Sequence, residues 1–210
     1  YIPGLPPPTT GPDRSPVGPR FRAIQGASPD GLRPGTRLPR PEAIAPPGPR
    51  AFHRFHEPAP AATGSRSPEW GDLDRPLVYV TFGSVAGSIP VFAGVFREAL
   101  DALAELDAGV VMTVGRTVDP HDLGPLPANS HVVQWLPHAE VLAHAAAMLG
   151  HGGFGTTIGA LAAGVPQVVV PLFSFDQVVN GEHVAAAGAG LTTKPGPDAV
   201  AHGAAELPRL

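Results

Sequence analysis

Short apolar stretches alternate with amphipathic segments from about residue 75 onward. The run from Leu77 to Phe82 is a continuous series of apolar and β-branched residues, which is typical of a strand buried on both faces. The segment from Val91 to Leu106 places its apolar residues at helical spacing and predicts an amphipathic helix. Further short strands are predicted at Gly109 to Val114, His131 to Gln134, Ala147 to Gly150, Val168 to Pro171 and Gly190 to Thr193.

The helices between these strands have recognisable ends. Pro137 suits the first position of a helix that runs to about Ala145, because that position needs no amide N–H. A helix from Thr156 to Ala163 and another from Asp176 to Ala187 are each closed by a glycine. Alternating strands and helices predict parallel βαβ units, and therefore an α/β fold with a doubly wound, Rossmann-like sheet covered on both faces.

The loops that follow the predicted strands should share one edge of this sheet. They begin at Gly83, Gly115, Trp135, His151 and Leu172. In open α/β sheets, ligands bind beyond the carboxyl ends of the strands. The sequence therefore predicts one binding site built from several loops that are distant along the chain.

The glycine-rich turn after His151 is the most informative of these loops. Gly152, Gly153 and Gly155 let the backbone approach a ligand closely. The turn opens a helix at Thr156, where unpaired amide N–H groups and the positive end of the helix dipole favour an anion. The turn is therefore a candidate phosphate site.

Two common nucleotide motifs do not explain this turn. A phosphate loop of the nucleoside-triphosphatase kind requires Gly-Lys-Ser/Thr, and no lysine precedes Lys194. The dinucleotide fingerprint needs three glycines, but Ile158 occupies the third position and the motif lies late in the predicted sheet. Both interpretations fail.

Composition divides the chain into two unlike parts. Of 28 prolines, 17 lie in residues 1–70, which also hold nine arginines and five acidic residues, a net charge of +4. Residues 71–210 hold five basic and thirteen acidic residues, a net charge of −8. The arginines are interleaved with proline rather than clustered, so we expect no binding to nucleic acid.

The compositional division predicts three segments. Residues 1–45 show neither helical nor strand periodicity, and we interpret them as a Pro-, Gly- and Arg-rich irregular or disordered segment. Residues 46–74 are interpreted as an interdomain-type linker, and residues 75–210 as the folded domain. The aromatic residues Phe52, Phe55 and Trp70 are candidate anchors of the linker onto the folded surface.

Several classes of protein are excluded by composition. The chain has no cysteine, which rules out disulfides and thiolate metal sites and is compatible with a cytoplasmic location. No apolar run approaches the roughly 20 residues that a membrane-spanning helix needs. No charged segment followed by an apolar one begins the sequence, so we expect no secretory signal.

Five blocks in order resemble a known family. They are VYVTFGS (Val78 to Ser84), VVQWLPHAEVLAH (Val132 to His144), HGGFGTT, GVPQVVVP and DQVVN. Together they look like the C-terminal, nucleotide-sugar-binding domain of the UDP-glycosyltransferase superfamily (glycosyltransferase family 1), with the nearest likeness to bacterial enzymes that glycosylate macrolides and other natural products. The resemblance covers about residues 48–200.

The resemblance implies a fold and an activity. The fold is GT-B, in which two Rossmann-like domains face a cleft and the C-terminal domain binds the donor. The activity is inverting, metal-independent transfer of a hexosyl group from a UDP- or dTDP-sugar to a small hydrophobic acceptor such as a macrolide or other polyketide. The resemblance implies neither a cofactor nor a metal ion.

The resemblance also assigns the nucleobase and sugar contacts. Trp135 would stack on the base, and the backbone of Pro137 and His138 would pair with its edge; a tryptophan in the core is the alternative. Asp176 and Gln177 would hold sugar hydroxyls, because adjacent carboxylate and amide groups suit diols. Asp176 would equally serve as a helix N-cap.

The resemblance also assigns the contacts to the phosphates. Ser84 would contact a phosphate at the end of the first strand, and His151 would hydrogen-bond the diphosphate. The amides of Gly153, Gly155 and Thr156 would assist it. The alternatives are a turn serine without a ligand and a loop histidine satisfied by its neighbours.

The sequence departs from the family at two positions. Many relatives place a glutamate that binds the ribose hydroxyls where this chain has Gly159, so a deoxythymidine nucleotide is as plausible as a uridine nucleotide. Asn180 matches the family, but Gly181 replaces the usual alanine, a change slightly unfavourable for a helix.

The catalytic base is not expected in this sequence. In the family it is a histidine of the N-terminal domain, and nothing in residues 1–45 resembles that domain. The chain also stops soon after Lys194, so we expect a domain truncated at its C-terminus. Three interpretations remain: a glycosyltransferase whose acceptor domain is missing or supplied by a partner chain, a non-catalytic nucleotide-sugar-binding module or inactive fragment, and a sugar-nucleotide epimerase.

Overall fold

A computed structural model describes residues 66–71 and 74–210. The predicted segment of residues 1–45 and most of the predicted linker, including Phe52 and Phe55, lie outside these residues. Six parallel strands form one sheet in the order β3-β2-β1-β4-β5-β6. The strands are β1 (Leu77–Thr81), β2 (Gly109–Thr113), β3 (Ser130–Val133), β4 (Ala147–Gly150), β5 (Gln167–Val169) and β6 (Gly190–Thr192).

Five α-helices cover the sheet. They are α1 (Val95–Leu103), α2 (His138–Leu142), α3 (Phe154–Ala163), α4 (Phe175–Ala186) and α5 (Ala199–Glu206). Short 3₁₀ helices add Pro68–Trp70, Ala86–Ser88, Pro90–Phe92, Pro120–Leu123 and Leu207–Arg209. The prediction of a doubly wound, parallel α/β fold is confirmed.

The strand order reverses direction between β1 and β4. Val78 of β1 is paired with Val110 of β2 on one side and with Ala147 of β4 on the other. The chain winds outward from β1 in one direction and then, from β4, in the other. The crevice beyond the carboxyl ends of these two strands is the usual ligand position in such sheets.

Each face of the sheet is buried in its own apolar cluster. Val78, Val80 and Phe82 of the β1 segment face the cluster that also contains residues of α1 and α5. Leu77 and Tyr79 point to the opposite face, which is covered by α2 and α3. Burial on both faces explains why β1 is continuously apolar and β-branched rather than alternating.

Trp70 anchors the start of the described chain to this second cluster. Its side chain is 8% exposed. The ring of His144 meets it edge to face, with ring centroids 6.2 Å apart. Of the three predicted anchors, Trp70 is therefore confirmed.

The first predicted helix begins later than expected. Val91 lies in the 3₁₀ helix Pro90–Phe92 and is 80% exposed, whereas α1 begins at Val95. Ile89 is extended, as is usual for a residue before proline. The 3₁₀ helix that follows is tighter than an α-helix and packs Phe92, rather than Val91, against the core. The helical spacing holds only from Val95 onward.

The boundaries of three other helices differ from the predictions by one to three residues. Pro137 is the N-cap of α2 rather than its first residue, and α2 ends at Leu142. Gly153 is the N-cap of α3, which begins two residues before Thr156. Ser174 is the N-cap of α4, so the alternative that Asp176 serves as the cap is wrong.

Helix α5 was not predicted. It packs on α1. Val200 and Ala204 of α5, and Leu207 just after the helix, belong to the first cluster. Glu98 of α1 accepts a hydrogen bond from the amide of Ala201 through Oε1, at 3.0 Å. The apolar spacing of four and three residues along this segment is the signal that would have predicted a helix.

Candidate functional site

A cavity of about 640 Å³ lies over the point where the strand order reverses. Loops after β1, β2, β3, β4 and β5 line it. Nine of the ten site residues predicted from the sequence are among its lining residues, namely Ser84, Trp135, His138, His151, Gly153, Gly155, Thr156, Asp176 and Gln177. The tenth, Pro137, does not line the cavity but caps the helix that carries His138.

The imidazole of His151 fills the space between two glycines. A Cβ atom at Gly83 would lie 2.8 Å from His151 Cε1, and one at Gly153 would lie 2.5 Å from Nε2. Gly83 also has a positive φ of 76°. The absence of side chains at these positions is what allows the ring to lie between the β1 loop and the glycine turn.

The electrostatics of His151 follow from its burial. The side chain is 8% exposed, and Nδ1 is buried without a hydrogen-bond partner within the described residues. Burial lowers the pKa of His151, and the backbone of Thr81 and the carboxylate of Asp176 oppose that shift only in part. Burial therefore favours the neutral imidazole in the unliganded site.

The glycine turn is tied to α4. Gly152 has a φ of 84°, and a Cβ there would lie 2.7 Å from Val169 Cγ1 and 2.8 Å from the carbonyl oxygen of Gln177. Asn180 Nδ2 donates a hydrogen bond to the carbonyl of Gly152, at 2.8 Å. These contacts hold the turn against β5 and α4.

The N-terminus of α3 opens towards the same cavity. The first backbone hydrogen bond at this end runs from the amide of Thr157 to the carbonyl of Gly153, at 3.0 Å. The amides of Phe154, Gly155 and Thr156 precede it and are the open N–H groups of the helix. The sequence identified two of these three residues, because it placed the start of the helix too late.

A chain of buried hydroxyls forms the floor of the cavity. The hydroxyl of Tyr79 is hydrogen-bonded to Thr113 Oγ1 at 3.2 Å, and Thr113 Oγ1 donates to Thr81 Oγ1 at 2.8 Å. Thr81 Oγ1 in turn accepts from the amide of Gly83, at 3.3 Å. Burial raises the pKa of Tyr79. Sequence analysis missed these three side chains because they lie within strands and were assigned to the core.

Trp135 is 54% exposed at the edge of the cavity, so the alternative of a core tryptophan is wrong. The guanidinium carbon of Arg116 lies 5.3 Å from the centroid of its ring, which is a cation–π distance. Arg116 follows β2 and lines the same cavity, but it belongs to none of the motifs selected from the sequence. Its position one residue after Gly115, a predicted loop start, was the available signal.

Asp176 and Gln177 differ in what they offer to a ligand. Gln177 is 2% exposed, and its Oε1 accepts hydrogen bonds from the amides of Leu172 (2.8 Å) and Phe173 (3.1 Å). Only the Nε2 donor of Gln177 is left for a ligand. Asp176 is exposed in the first turn of α4 and accepts a hydrogen bond from Ser174 Oγ.

His138 lies against the glycine that departs from the family pattern. A Cβ atom at Gly159 would lie 3.3 Å from Cδ2 of His138 and 3.4 Å from its Nε2. The imidazole therefore fills the space beside residue 159.

A parallel sheet in this order, with a cavity at its switch point, defines a Rossmann-like class of α/β domain. Comparison with known proteins narrows the class. Residues 97–206 match the family "Erythromycin biosynthesis protein CIII-like, C-terminal domain". The chain belongs to this family, the EryCIII-like C-terminal domains of GT-B glycosyltransferases, and the predicted resemblance is confirmed.

Individual relatives agree with the family. The elloramycin glycosyltransferase ElmGT of Streptomyces olivaceus is 40% identical over 133 residues, which are 63% of this chain and 32% of ElmGT. The structure of CalG4, the calicheamicin glycosyltransferase, is 36% identical with a TM-score of 0.56 over 68% of this chain and 36% of that one. VinC in complex with dTDP is 32% identical with a TM-score of 0.52, covering 63% and 33%. The chain spans about a third of the length of the curated relatives it matches.

Two further observations concern the described residues alone. Within residues 66–71 and 74–210, no three histidine or acidic side chains cluster as they would around a metal ion. No helix in that part of the chain combines the length and the apolar character needed to cross a membrane.

Proposed function

We propose that the cavity binds a UDP- or dTDP-sugar, and that the domain is the donor half of an inverting, metal-independent glycosyltransferase. The hexosyl group would pass to a small hydrophobic natural-product acceptor. The main support is that nine residues selected from separate sequence blocks line one cavity at the switch point of the sheet. These residues were selected for contacts with a base, a diphosphate and a sugar, and their meeting in one cavity gives a ligand with those three parts a single place to bind.

The diphosphate would lie over the glycine turn. The open amides at the start of α3 and the dipole of this ten-residue helix favour negative charge there. His151 would supply a hydrogen bond, and Ser84 would contact a phosphate from the β1 loop. During transfer, negative charge grows on the leaving diphosphate, and donors already fixed in place stabilise that charge most strongly.

The base and the sugar would lie on opposite sides of the diphosphate. Trp135 is exposed enough to stack on a nucleobase, and the backbone at Pro137 and His138 would pair with the base edge. The carboxylate of Asp176 and the Nε2 group of Gln177 would bind the sugar hydroxyls. Because Oε1 of Gln177 is already used by the Leu172 loop, that residue would also fix the shape of the sugar pocket.

The ribose pocket would accept deoxyribose. Gly159 offers no carboxylate to a 2′-hydroxyl, and His138 fills the adjacent space. A structural relative, VinC, is known in complex with dTDP. We therefore include dTDP-sugars beside UDP-sugars as donors.

Turnover also needs a general base and an acceptor pocket. The proposed source of both is an N-terminal domain or a partner chain that supplies one. We also propose a cytoplasmic location, with which a sequence without cysteine is compatible.

Titration of the full chain with UDP and dTDP, followed by calorimetry and protein-detected NMR, tests this proposal. Replacing Trp135 by alanine removes the stacking surface, so binding of either nucleotide should weaken by about 1–3 kcal/mol. Phe175→Ala is the matched control, because Phe175 is 80% exposed and does not line the cavity. A folded sample that binds neither nucleotide at millimolar concentration would refute the proposal.

A further inference from the structure

The cavity contains little positive charge for the ligand proposed. Among its lining residues in the described chain, Arg116 is the only arginine or lysine, and Asp176 contributes a negative charge. His151 is neutral near pH 7 because burial lowers its pKa. A nucleoside diphosphate carries at least two negative charges. Among the described residues, Arg116 is the one permanently charged cation that lines the cavity proposed for it.

Arg116 lies between the proposed phosphate and base contacts. A Cβ atom on Gly115, the preceding residue, would lie 3.5 Å from the carbonyl oxygens of Gly83 and Ser84 in the β1 loop. The amide of Gly115 donates to the carbonyl of Gln134, next to Trp135, at 2.9 Å. The backbone therefore delivers the Arg116 side chain to the junction of the β1 and β3 loops.

The guanidinium is available to a ligand. Arg116 is exposed, and no carboxylate among residues 66–71 and 74–210 forms an ion pair with it. The guanidinium of Arg116 contacts the ring of Trp135. A cation–π contact at an exposed site is weaker than a hydrogen bond between two charged groups. A phosphate within reach would compete well for this side chain.

We infer that Arg116 is a nucleotide-binding residue whose guanidinium leaves the face of Trp135 to pair with the diphosphate. The inference rests on the proposed function, since it names a further residue of the same site. This exchange of partners would couple phosphate binding to base stacking, because the indole face of Trp135 becomes free for the base as the guanidinium moves towards the phosphate. Arg116 thus contributes charge that the glycine turn and the imidazole lack.

Nucleotides and nucleosides together test this role in the full chain. Arg116→Gln should weaken binding of UDP and dTDP about tenfold while leaving uridine and thymidine binding within about twofold, because only the former carry the diphosphate. The salt dependence should also fall. Between roughly 0.01 and 1 M salt the Debye length shrinks from about 30 to 3 Å, so wild-type affinity should drop more steeply than that of the variant.

Two variants distinguish phosphate binding by Arg116 from an effect of Arg116 on the position of the Trp135 ring. Arg116→Lys retains the charge and should keep most of the salt dependence, whereas Trp135→Ala should weaken nucleosides and nucleotides alike. Equal weakening of both ligand classes by Arg116→Gln, or unchanged nucleotide affinity and salt dependence, would overturn the inference and leave the proposed function intact. Failure of the wild-type chain to bind any of the four ligands would overturn both.

Discussion

Glycines, which have no side chain, define the shape of the site around His151. Gly83 and Gly153 both lie against the Cε1 and Nε2 atoms of His151, and a methyl group at either position would occupy space that the ring needs. Gly153 has a φ of −61°, which any residue can adopt, so its importance comes from space and not from backbone conformation. Gly155, two residues later, faces open space.

This difference predicts unequal effects of the same substitution. Gly153→Ala should displace the imidazole and lower the free energy of unfolding by about 1–3 kcal/mol, the usual cost of overpacking. Gly155→Ala should stabilise the protein by up to about 1 kcal/mol, because alanine favours a helix and meets no neighbour. Urea unfolding of both variants measures the two values, and equal values would show that the imidazole is not confined as described.

Among the elements, helix α5 depends on a residue of another helix. Its N-cap residue, Asp198, has a left-handed φ of 58° and makes no side-chain capping bond. Glu98 of α1 supplies the acceptor instead, by bonding to the amide of Ala201. A cap from a distant helix fixes how α5 lies on α1 as well as how it begins.

Removing this cap should loosen α5 without disturbing the cavity. Glu98→Ala is expected to lower the free energy of unfolding by about 1 kcal/mol, because the first turn of α5 loses its acceptor. Glu98→Gln keeps an acceptor oxygen and should restore most of the loss. Glu105→Ala, on an exposed position, is the control. Hydrogen exchange of the Ala201 amide reports the local effect, and unchanged protection in Glu98→Ala would contradict the role.

At the scale of the whole chain, the sequence spans about a third of the length of the curated relatives it matches, and this predicts how activity should depend on an added domain. We expect the chain to bind donor nucleotide by itself and to transfer sugar only when an acceptor domain from a relative is fused or mixed with it. Product formation, followed by mass spectrometry with a UDP- or dTDP-sugar, measures this. Binding without turnover in every such combination would favour the non-catalytic module.

Most of the fold could be predicted from the sequence because buried parallel strands leave a strong signal. Strand β4 was predicted with its observed bounds, and the other five strands within one or two residues. Helix starts were less accurate, since Pro90 and Gly153 permit more than one local turn. Helix α5 leaves a weaker signal because the residues that it buries are mostly small.

The site was predicted as far as loop residues carry recognisable motifs. His151, Trp135 and the glycine turn were selected in this way and lie together in the structure. The roles of Arg116 and of the hydroxyls of Tyr79 and Thr113 depend on contacts with residues distant in the sequence. Such contacts leave no local sequence pattern. Side chains that matter only through a neighbour distant in sequence require the folded arrangement.

The reversal of strand order has a thermodynamic consequence. Loops that follow five different strands line the cavity, so the unfolded chain contains no part of the site that could bind alone. A ligand held there is therefore linked to the folding equilibrium of the entire domain, and at a hundredfold excess over Kd it would add about 2.7 kcal/mol to native-state stability. If the proposed nucleotide sugar binds in this cavity, it would therefore stabilise the folded protein.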